Sequence, residues 1–296
     1  MLKSKKKILV TGGAGFVGTN LINFLLKKTK FSIISLDNYS SGSKKNHIKS
    51  NRVKYINGHT KDIVNLVKNP KYIHSVFHFG EFARIYQSFL KMNECIESNF
   101  TGSNAVFNFC LKNNIKLVYS ATSASLGNKG NDKNLSPYAF SKAKNLEQLE
   151  NFKRHFNLKY EIIYFYNVYG PNQISRGFMS TVIGIFEDHY LRKKPLPVVR
   201  PGTQTRRFTH IEDTIKIVYQ AWKKKLNRHY IIANTNAYSV LEVAKMFKTK
   251  IKYLPPRDGE RYTSALIKKN LSNKIYRYYG KISLKSYIEE FLKKNS

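Results

Sequence analysis

Two cysteines, Cys95 and Cys110, are all that this 296-residue chain carries. So few exclude a disulfide framework, and their spacing matches no metal site. No run of 18 or more apolar residues occurs, which excludes a transmembrane helix. No leader pattern stands at the front: Met1-Leu2-Lys3-Ser4-Lys5-Lys6-Lys7 runs directly into the strand-like Ile8-Leu9-Val10 and reads as a cytosolic start. Acidic residues are scarce, 18 Asp plus Glu against 52 Lys plus Arg, a formal charge of +34. Such a field attracts polyanions in general. The excess, however, is mostly lysine spread along the chain together with Asn, Ile, Tyr and Phe, the joint bias of an AT-rich genome. Local clusters (Lys3 to Lys7, Arg192-Lys193-Lys194, Lys223-Lys224-Lys225) are not interleaved with a nucleic-acid motif, so nucleic acid is not an expected partner. What is present in quantity is apolar mass, 42% of residues, enough for a packed core and incompatible with overall disorder.

The first half alternates short β-branched runs with helical patterns. Ile8 to Thr11, Ile33 to Asp37, Val53 to Asn57, Ser75 to Phe79, Lys116 to Ser120 and Glu161 to Phe165 read as strands covered on both faces. Val17 to Lys28, a short turn near Ile63 to Lys68, Asn93 to Asn113 and Tyr138 to His155 read as helices. Repeated βα units give an α/β class, a doubly wound parallel Rossmann sheet with right-handed crossovers. After Gly170 the pattern loosens and six of the eight prolines appear. The expectation is a dinucleotide-binding domain over residues 1–170, a segment near 207–233 returning to its sheet, and a smaller C-terminal lobe over 171–296. A ligand cleft then lies outside the carboxyl ends of the strands.

Thr11-Gly12-Gly13-Ala14-Gly15-Phe16-Val17-Gly18 follows the first strand and opens the first helix, the context in which a glycine triplet carries meaning. Glycines let backbone approach a pyrophosphate, and the helix N-terminus supplies N–H donors and partial positive charge. Asp37 ends the second strand, placed to accept from a ribose hydroxyl pair; a carboxylate there repels a 2′-phosphate, favouring NAD over NADP. Asp62, after the third strand, is a candidate partner for the adenine edge.

Ser136-Pro137-Tyr138-Ala139-Phe140-Ser141-Lys142 reads as a helix start, with Ser136 as N-cap and Pro137 at the first helical position. A spacing of four puts Tyr138 and Lys142 on one face. A free phenol titrates near about 10. A cation about 4 Å away at an effective dielectric of about 20 contributes roughly 4 kcal/mol, or about 3 pKa units before screening. Lys142, helped by a bound positive nicotinamide, would make Tyr138 a working base. Upstream, Leu117 to Gly127 is a strand running into a hydroxyl-rich loop, where Thr122, or failing it Ser123, is the candidate to bond the reacting oxygen and pass a proton to Tyr138. His74 and His78 share a strand face but no third ligand converges, so they read as packing and no metal is expected.

Together these residues resemble the extended short-chain dehydrogenase/reductase family, in particular its NAD-dependent nucleotide-sugar epimerases and dehydratases, of the UDP-glucose 4-epimerase kind. The resemblance also runs through Leu36 to Gly42, His78-Phe79-Gly80-Glu81, Asn99-Phe100-Thr101-Gly102, Tyr166 to Pro171, Arg206 to Asp213 and Pro256 to Glu260. It implies bound NAD held by Gly12, Gly15, Phe16, Val17, Gly18, Asp37, Asn38, Asp62, Ile63, Phe79, Asn99, Tyr138 and Lys142. It implies catalysis by Thr122, Tyr138 and Lys142. It further implies a nucleotide-diphosphate sugar held by Thr122, Tyr138, Asn167, Arg206 and Arg257, the arginines clamping the diphosphate. A two-fold homodimer through the Asn93 to Asn113 and Tyr138 to His155 helices is implied as well, with Cys95 and Cys110 in core packing.

Two departures narrow the chemistry. The dehydratases carry Thr-Asp-Glu where this chain has Thr122-Ser123-Ala124, and the related decarboxylases keep the Glu, so epimerisation, most readily at C4, is the expected activity. The segment from Gly127 to Tyr138 is short, and Glu81-Phe82-Ala83-Arg84 replaces the usual small residues after the fourth strand; both border the expected sugar pocket.

Overall fold

The computed structural model describes residues 6–125, 134–259 and 275–295, and for 275–279 the backbone only. The lysines at 3–5, the 126–133 part of the loop before Tyr138, and Glu260 lie outside the described residues. Eight parallel strands make the main sheet: β1 (Lys7–Thr11), β2 (Ser32–Asp37), β3 (Val53–Asn57), β4 (Ile73–His78), β5 (Lys116–Thr122), β6 (Tyr160–Phe165), β7 (His229–Asn234) and β8 (Ile275–Gly280). Their spatial order is β8-β7-β6-β5-β4-β1-β2-β3. The order in which successive strands are added reverses between β1 and β4, and at such a switch point the loops at the carboxyl ends part to leave a crevice.

The near-continuous apolar strands are explained by the two layers they serve. Leu9, Leu36, Val76, Leu117, Tyr119 and Ile162 face one core, and Ile8, Val10, Phe77, Val118 and Ile163 the other. Successive residues alternate sides, as the pleat requires. The first core is closed by α2 (Ser103–Lys112) and α3 (Pro137–Phe156) through Val106, Phe107, Cys110 and Leu149. The second is closed by α1 (Phe16–Lys28) and α5 (Ile211–Lys224) through Leu21, Ile22, Leu25, Ile215, Val218 and Trp222. Both cysteines are buried free thiols. His74 lies 5.0 Å from Phe31 and 5.7 Å from Trp222, ring to ring, as part of that second packing layer.

Two details depart from the sequence reading. The helix expected over Asn93 to Asn113 is one continuous rod in three parts, an α-turn Met92–Ile96, a π-helical stretch Glu97–Gly102, then α2. The wider π turns rotate Asn99 into the interior. Second, within the segment near 207–233 only the strand His229–Asn234 lies in the main sheet, and Ile275–Gly280 joins it too, pairing along all six residues of β7. The smaller lobe has its own core of Tyr169, Phe186, Leu196, Val198, Phe208, Val243, Phe247, Leu284 and Ile288. It is built on α4 (Val182–Leu191), α6 (Val240–Met246), α7 (Leu284–Asn295) and a parallel pair, Leu196–Val199 with Ile251–Leu254.

At the amino end of β5, Lys116 is 10% exposed and pairs at 2.7 Å with the fully buried Glu161 of β6. The ammonium also donates to the Trp222 carbonyl at 3.0 Å, and Glu161 accepts from the Asn227 and Arg228 amides at 3.2 and 3.1 Å. The pair therefore joins two strands, α5 and the loop into β7. Removing one partner of such a pair leaves the other charge stranded, at a cost of roughly 3–5 kcal/mol. Lys116→Met is expected to lower the unfolding free energy by about that amount. Urea unfolding followed through Trp222, the single tryptophan, measures it, and an unchanged midpoint would contradict this account.

Candidate functional site

The cleft begins where β1 ends. Gly12 has φ +67, and a Cβ there would stand 2.8 Å from Phe79 and Gly80 backbone atoms, so the turn lies flat against the exit of β4. A Cβ on Gly18 would stand 2.1 Å from the Gly12 carbonyl oxygen, which fixes how closely α1 packs on its own leading turn. Gly15 caps α1 in an extended conformation without a side-chain cap, and no acidic residue occupies the first turn. The amides of that turn are thus left for an anionic ligand.

Asp37, at the end of β2, accepts from the Ala14 amide at 2.9 Å and the Tyr39 amide at 2.8 Å. Burial pushes its carboxyl up from the ordinary range, and the amide bonds and the nearby His47 pull the other way. Asn38 accepts from the Ser40 amide at 3.1 Å. Gly12, Gly15, Phe16, Val17, Gly18, Asp37, Asn38 and Phe79 all line one cleft. Three expected cofactor contacts do not. Asp62 is exposed at the end of a 3₁₀ turn, Thr60–Asp62, that aims it outward, and Ile63 is buried in the core. Asn99 is fully buried, its amide spent on the Phe82 backbone at 2.7 and 3.1 Å and on Ser141 at 3.0 Å. From those stretches Gly58, His59, Thr60 and Ser98 reach the cleft instead.

The second wall is the carboxyl end of β5 and the start of α3. Ser136 caps α3, accepting from the Ala139 amide at 3.1 Å, with Pro137 following. This start turns Tyr138 and Lys142 inward, 8% and 3% exposed. The Thr122 hydroxyl accepts from the Ala124 amide at 3.2 Å and lines the cleft with the Tyr138 phenol. Ser123 lines the same cleft. The expected direct action of Lys142 on the phenol is not what the geometry presents. The ammonium donates to Glu81 Oε2, to the Ser120 carbonyl and, at 3.3 Å, to the Tyr119 hydroxyl. Tyr138 is pushed up to about 12, chiefly by burial and also by the Glu81 charge, with the nearby Thr122 hydroxyl and the Arg84 guanidinium pulling the other way. Burial likewise pulls Lys142 below the usual lysine range, with Glu81 opposing.

Glu81, at the end of the His78-Phe79-Gly80-Glu81 match and the start of the departure that follows it, carries no role that the sequence assigns. Its side chain is 2% exposed against 4% for Lys142. Oε1 accepts from Ser103 at 2.9 Å, Tyr119 at 3.0 Å and Asn145 at 3.1 Å. Because the Ser103 hydrogen goes to Glu81, His78 Nε2, 2.9 Å away, must carry the proton it gives to Ser103. His78 Nδ1 then accepts from Thr11 at 2.7 Å. Burial pushes His78 down to about 4, in keeping with this neutral tautomer. A polar chain thus runs from the glycine turn to the floor beneath Tyr138. Arg84, the second unassigned residue, crosses the cleft to the Met179 and Ser180 carbonyls at 2.6 and 3.2 Å.

Toward the smaller lobe the cleft is lined by Asn167, Arg206 and Arg257. Arg206 lies on a two-residue strand paired with Tyr238–Ser239, and Arg257 stands 5.0 Å over the Tyr86 ring. Two cationic side chains therefore face a cleft whose far end is an uncapped helix N-terminus, an arrangement for two separate phosphate groups. Among the described residues no group of His, Cys, Asp and Glu could hold a metal, and no helix is long and apolar enough to cross a membrane.

Comparison with known proteins agrees with this geometry. The model of the NAD dependent epimerase/dehydratase family matches residues 8–233. The ADP-L-glycero-D-manno-heptose-6-epimerase of Brachyspira hyodysenteriae is 27% identical over 88% of this chain and 90% of its own. Among solved structures, the Thermotoga maritima UDP-glucose 4-epimerase with UDP-glucose superposes with a TM-score of 0.84 at 24% identity, covering 97% of this chain and 99% of that one. The Bacillus cereus UDP-glucuronic acid 4-epimerase with UDP-glucuronic acid and NAD gives 0.84 at 23%, with the same coverage. At these identities the two structures speak for the shared fold.

The turn makes a direct prediction. Gly18→Ala forces the Gly12 carbonyl to move and so misplaces the amides at the start of α1. Purified wild-type protein should release a dinucleotide on denaturation and the variant little or none, as read by absorbance and enzymatic assay of the supernatant.

Proposed function

The chain belongs to the NAD dependent epimerase/dehydratase family, and from that premise we propose that it is a nucleotide-sugar epimerase acting at C4 through a transient keto sugar. Its cofactor is NAD, as the family is NAD-dependent, and the residues present fit that group. The open first turn of α1 suits a pyrophosphate, and Asp37 suits an unphosphorylated ribose. When bound, NAD supplies the chemistry of taking up a hydride and giving it back.

The remaining work falls to side chains of this chain. Thr122 and Tyr138 hold the C4 hydroxyl between them, and Tyr138 accepts its proton as the carbonyl forms. Asn167, Arg206 and Arg257 retain the diphosphate while the keto sugar turns to present its other face. Tyr138 then returns the proton. The single observation that carries the reading is the buried Tyr138 phenol lining the same cleft wall as Thr122, beside Ser123 and Ala124. The last two positions offer no carboxyl group for eliminating water. Dehydration or decarboxylation on the same scaffold is the second reading, and the buried Glu81 carboxylate, which lines the cleft beside Lys142, is the acid that favours it. Its oxygens are occupied by Lys142, Ser103, Tyr119 and Asn145, which supports epimerisation.

In this reading residues 1–170, with the strands that return to the sheet, bind the cofactor, and the later lobe binds the sugar nucleotide. We further propose a homodimer through the face made by residues 92–112 and α3. Phe140 at 40%, Phe156 at 58% and Met92 at 54% are left exposed there, with Phe100 against Phe140 at 6.0 Å.

Tyr138→Phe is expected to keep the fold and the bound NAD while turnover falls by about 10³ or more, since it removes the base. The assay is a panel of nucleotide sugars followed by NMR for stereoisomer formation; near-wild-type turnover would refute the role. Light scattering on the eluting protein should give twice the chain mass, and a doubly charged substitution, Phe140→Asp with Phe156→Asp, should halve it.

A further inference from the structure

An ammonium has three hydrogens, and all three of those on Lys142 have acceptors within the protein: Glu81 Oε2, the Ser120 carbonyl and the Tyr119 hydroxyl. Nothing is left over for a ligand or for Tyr138 unless one of these bonds is given up. Of the three, the carboxylate bond is the strongest, being charge-assisted in a site from which water is excluded. Glu81 is in turn fixed from the other side. Ser103, Tyr119 and Asn145 all donate to its Oε1, and Ser103 is itself locked by His78 and Thr11. Every hydrogen in this chain points toward the carboxylate.

We infer that Glu81 is a positioning residue for the proposed reaction: its buried carboxylate ties down the Lys142 ammonium and thereby sets how strongly Tyr138 is activated as a base. The inference rests on the reading of Tyr138 as that base. The charged and titratable groups around the pair are few. Tyr119 stands on β5, His78 on β4, Cys95 on the helical rod, and Arg84 and Thr122 beside the phenol. Burial holds His78 neutral at ordinary pH and pushes the Cys95 thiol up to about 11. Tyr119 is pushed well above the usual phenol range by burial. Glu81 and Arg84 are therefore the charges that act directly on Tyr138, while Lys142 is held by Glu81.

The sign follows. Glu81 opposes loss of the phenol proton directly through its own charge, and it holds the Lys142 ammonium to itself. Glu81→Gln keeps an oxygen for Ser103, Tyr119 and Asn145 but turns an amide N–H₂ toward Lys142, which releases the ammonium. In holoenzyme labelled with [ζ-¹³C]tyrosine, the Tyr138 signal is identified by its loss in Tyr138→Phe. In Glu81→Gln it is expected to move toward phenolate at a pH lower by about one unit or more, the scale of one nearby charge. The acid limb of the kcat/KM profile should shift the same way.

An unchanged Tyr138 signal in a folded, NAD-loaded Glu81→Gln protein would overturn the proposal. Should that variant fail to fold, Glu81→Ala, which leaves room for water at the vacated oxygens, is read by the same signal. Failure of both under conditions where Lys142→Met folds would make Glu81 purely structural and would equally overturn it. The tyrosine signal does not depend on turnover. If no nucleotide sugar is epimerised, the proposed function falls, and the titration still reports whether Glu81 acts on Tyr138.

Discussion

Burying an ammonium costs several kcal/mol unless its charge is matched and its hydrogens are all accepted. Lys142 meets that demand with a carboxylate, a backbone carbonyl and a phenol, contributed by the loop after β4 and by β5. This requirement organises much of the molecule's centre. It pins α3 to β5 and brings Glu81 over the carboxyl end of β4. Through Ser103 and His78 it also ties α2 and β4 to the end of β1. The glycine turn and the phenol lie on opposite walls of one cleft, yet they share this floor. Either wall is positioned partly by what the other needs.

The sheet order makes that convergence possible. Because β1 and β4 are neighbours whose following loops diverge, Gly12, Phe79 and Thr122 open onto the same crevice although they are far apart in sequence. The lobe built around Phe186, Phe247 and Ile288 contributes no strand to that crossing. Residues of the segments around it, Met179 to Thr181, Arg206 and Phe208, close the outer side of the cleft. Arg84 bridges the two sides through backbone carbonyls, so the pocket beside Tyr138 carries a guanidinium as well as hydroxyls.

Much of this was legible in the amino-acid order because local physics acts there directly. Strands buried on both faces must be apolar throughout, so β1, β2, β4, β5 and β6 stand out as runs such as Ile8 to Val10 and Leu117 to Tyr119. The edge strand β3, expected to be covered on both faces, is only partly buried. A helix start has to be capped, so Ser136-Pro137 marks where α3 begins and which face Tyr138 and Lys142 share. The close approaches at Gly12 and Gly18 admit no side chain, and the glycines announce them. Other features follow from packing across long separations. Asn99 resembles a cofactor contact by its motif, but the π-helical stretch Glu97–Gly102 turns it onto Phe82 and Ser141. Asp62 has the right type and place in the order, but a single 3₁₀ turn sends it outward.

The Tyr138 and Lys142 pair divides the two kinds of information most sharply. By itself the sequence determined that a phenol and an ammonium stand one helical turn apart at the carboxyl edge of a doubly wound sheet, facing a glycine turn. The periodicity of a helix and the continuity of buried strands leave little choice in that. Only the tertiary structure decided where the positive charge is directed. An ion pair between residues 61 positions apart depends on how two crossovers stack, and no local pattern records it. Burial then gives the choice its force, because in a water-excluded floor one carboxylate is enough to draw the lysine away from its neighbour on the helix.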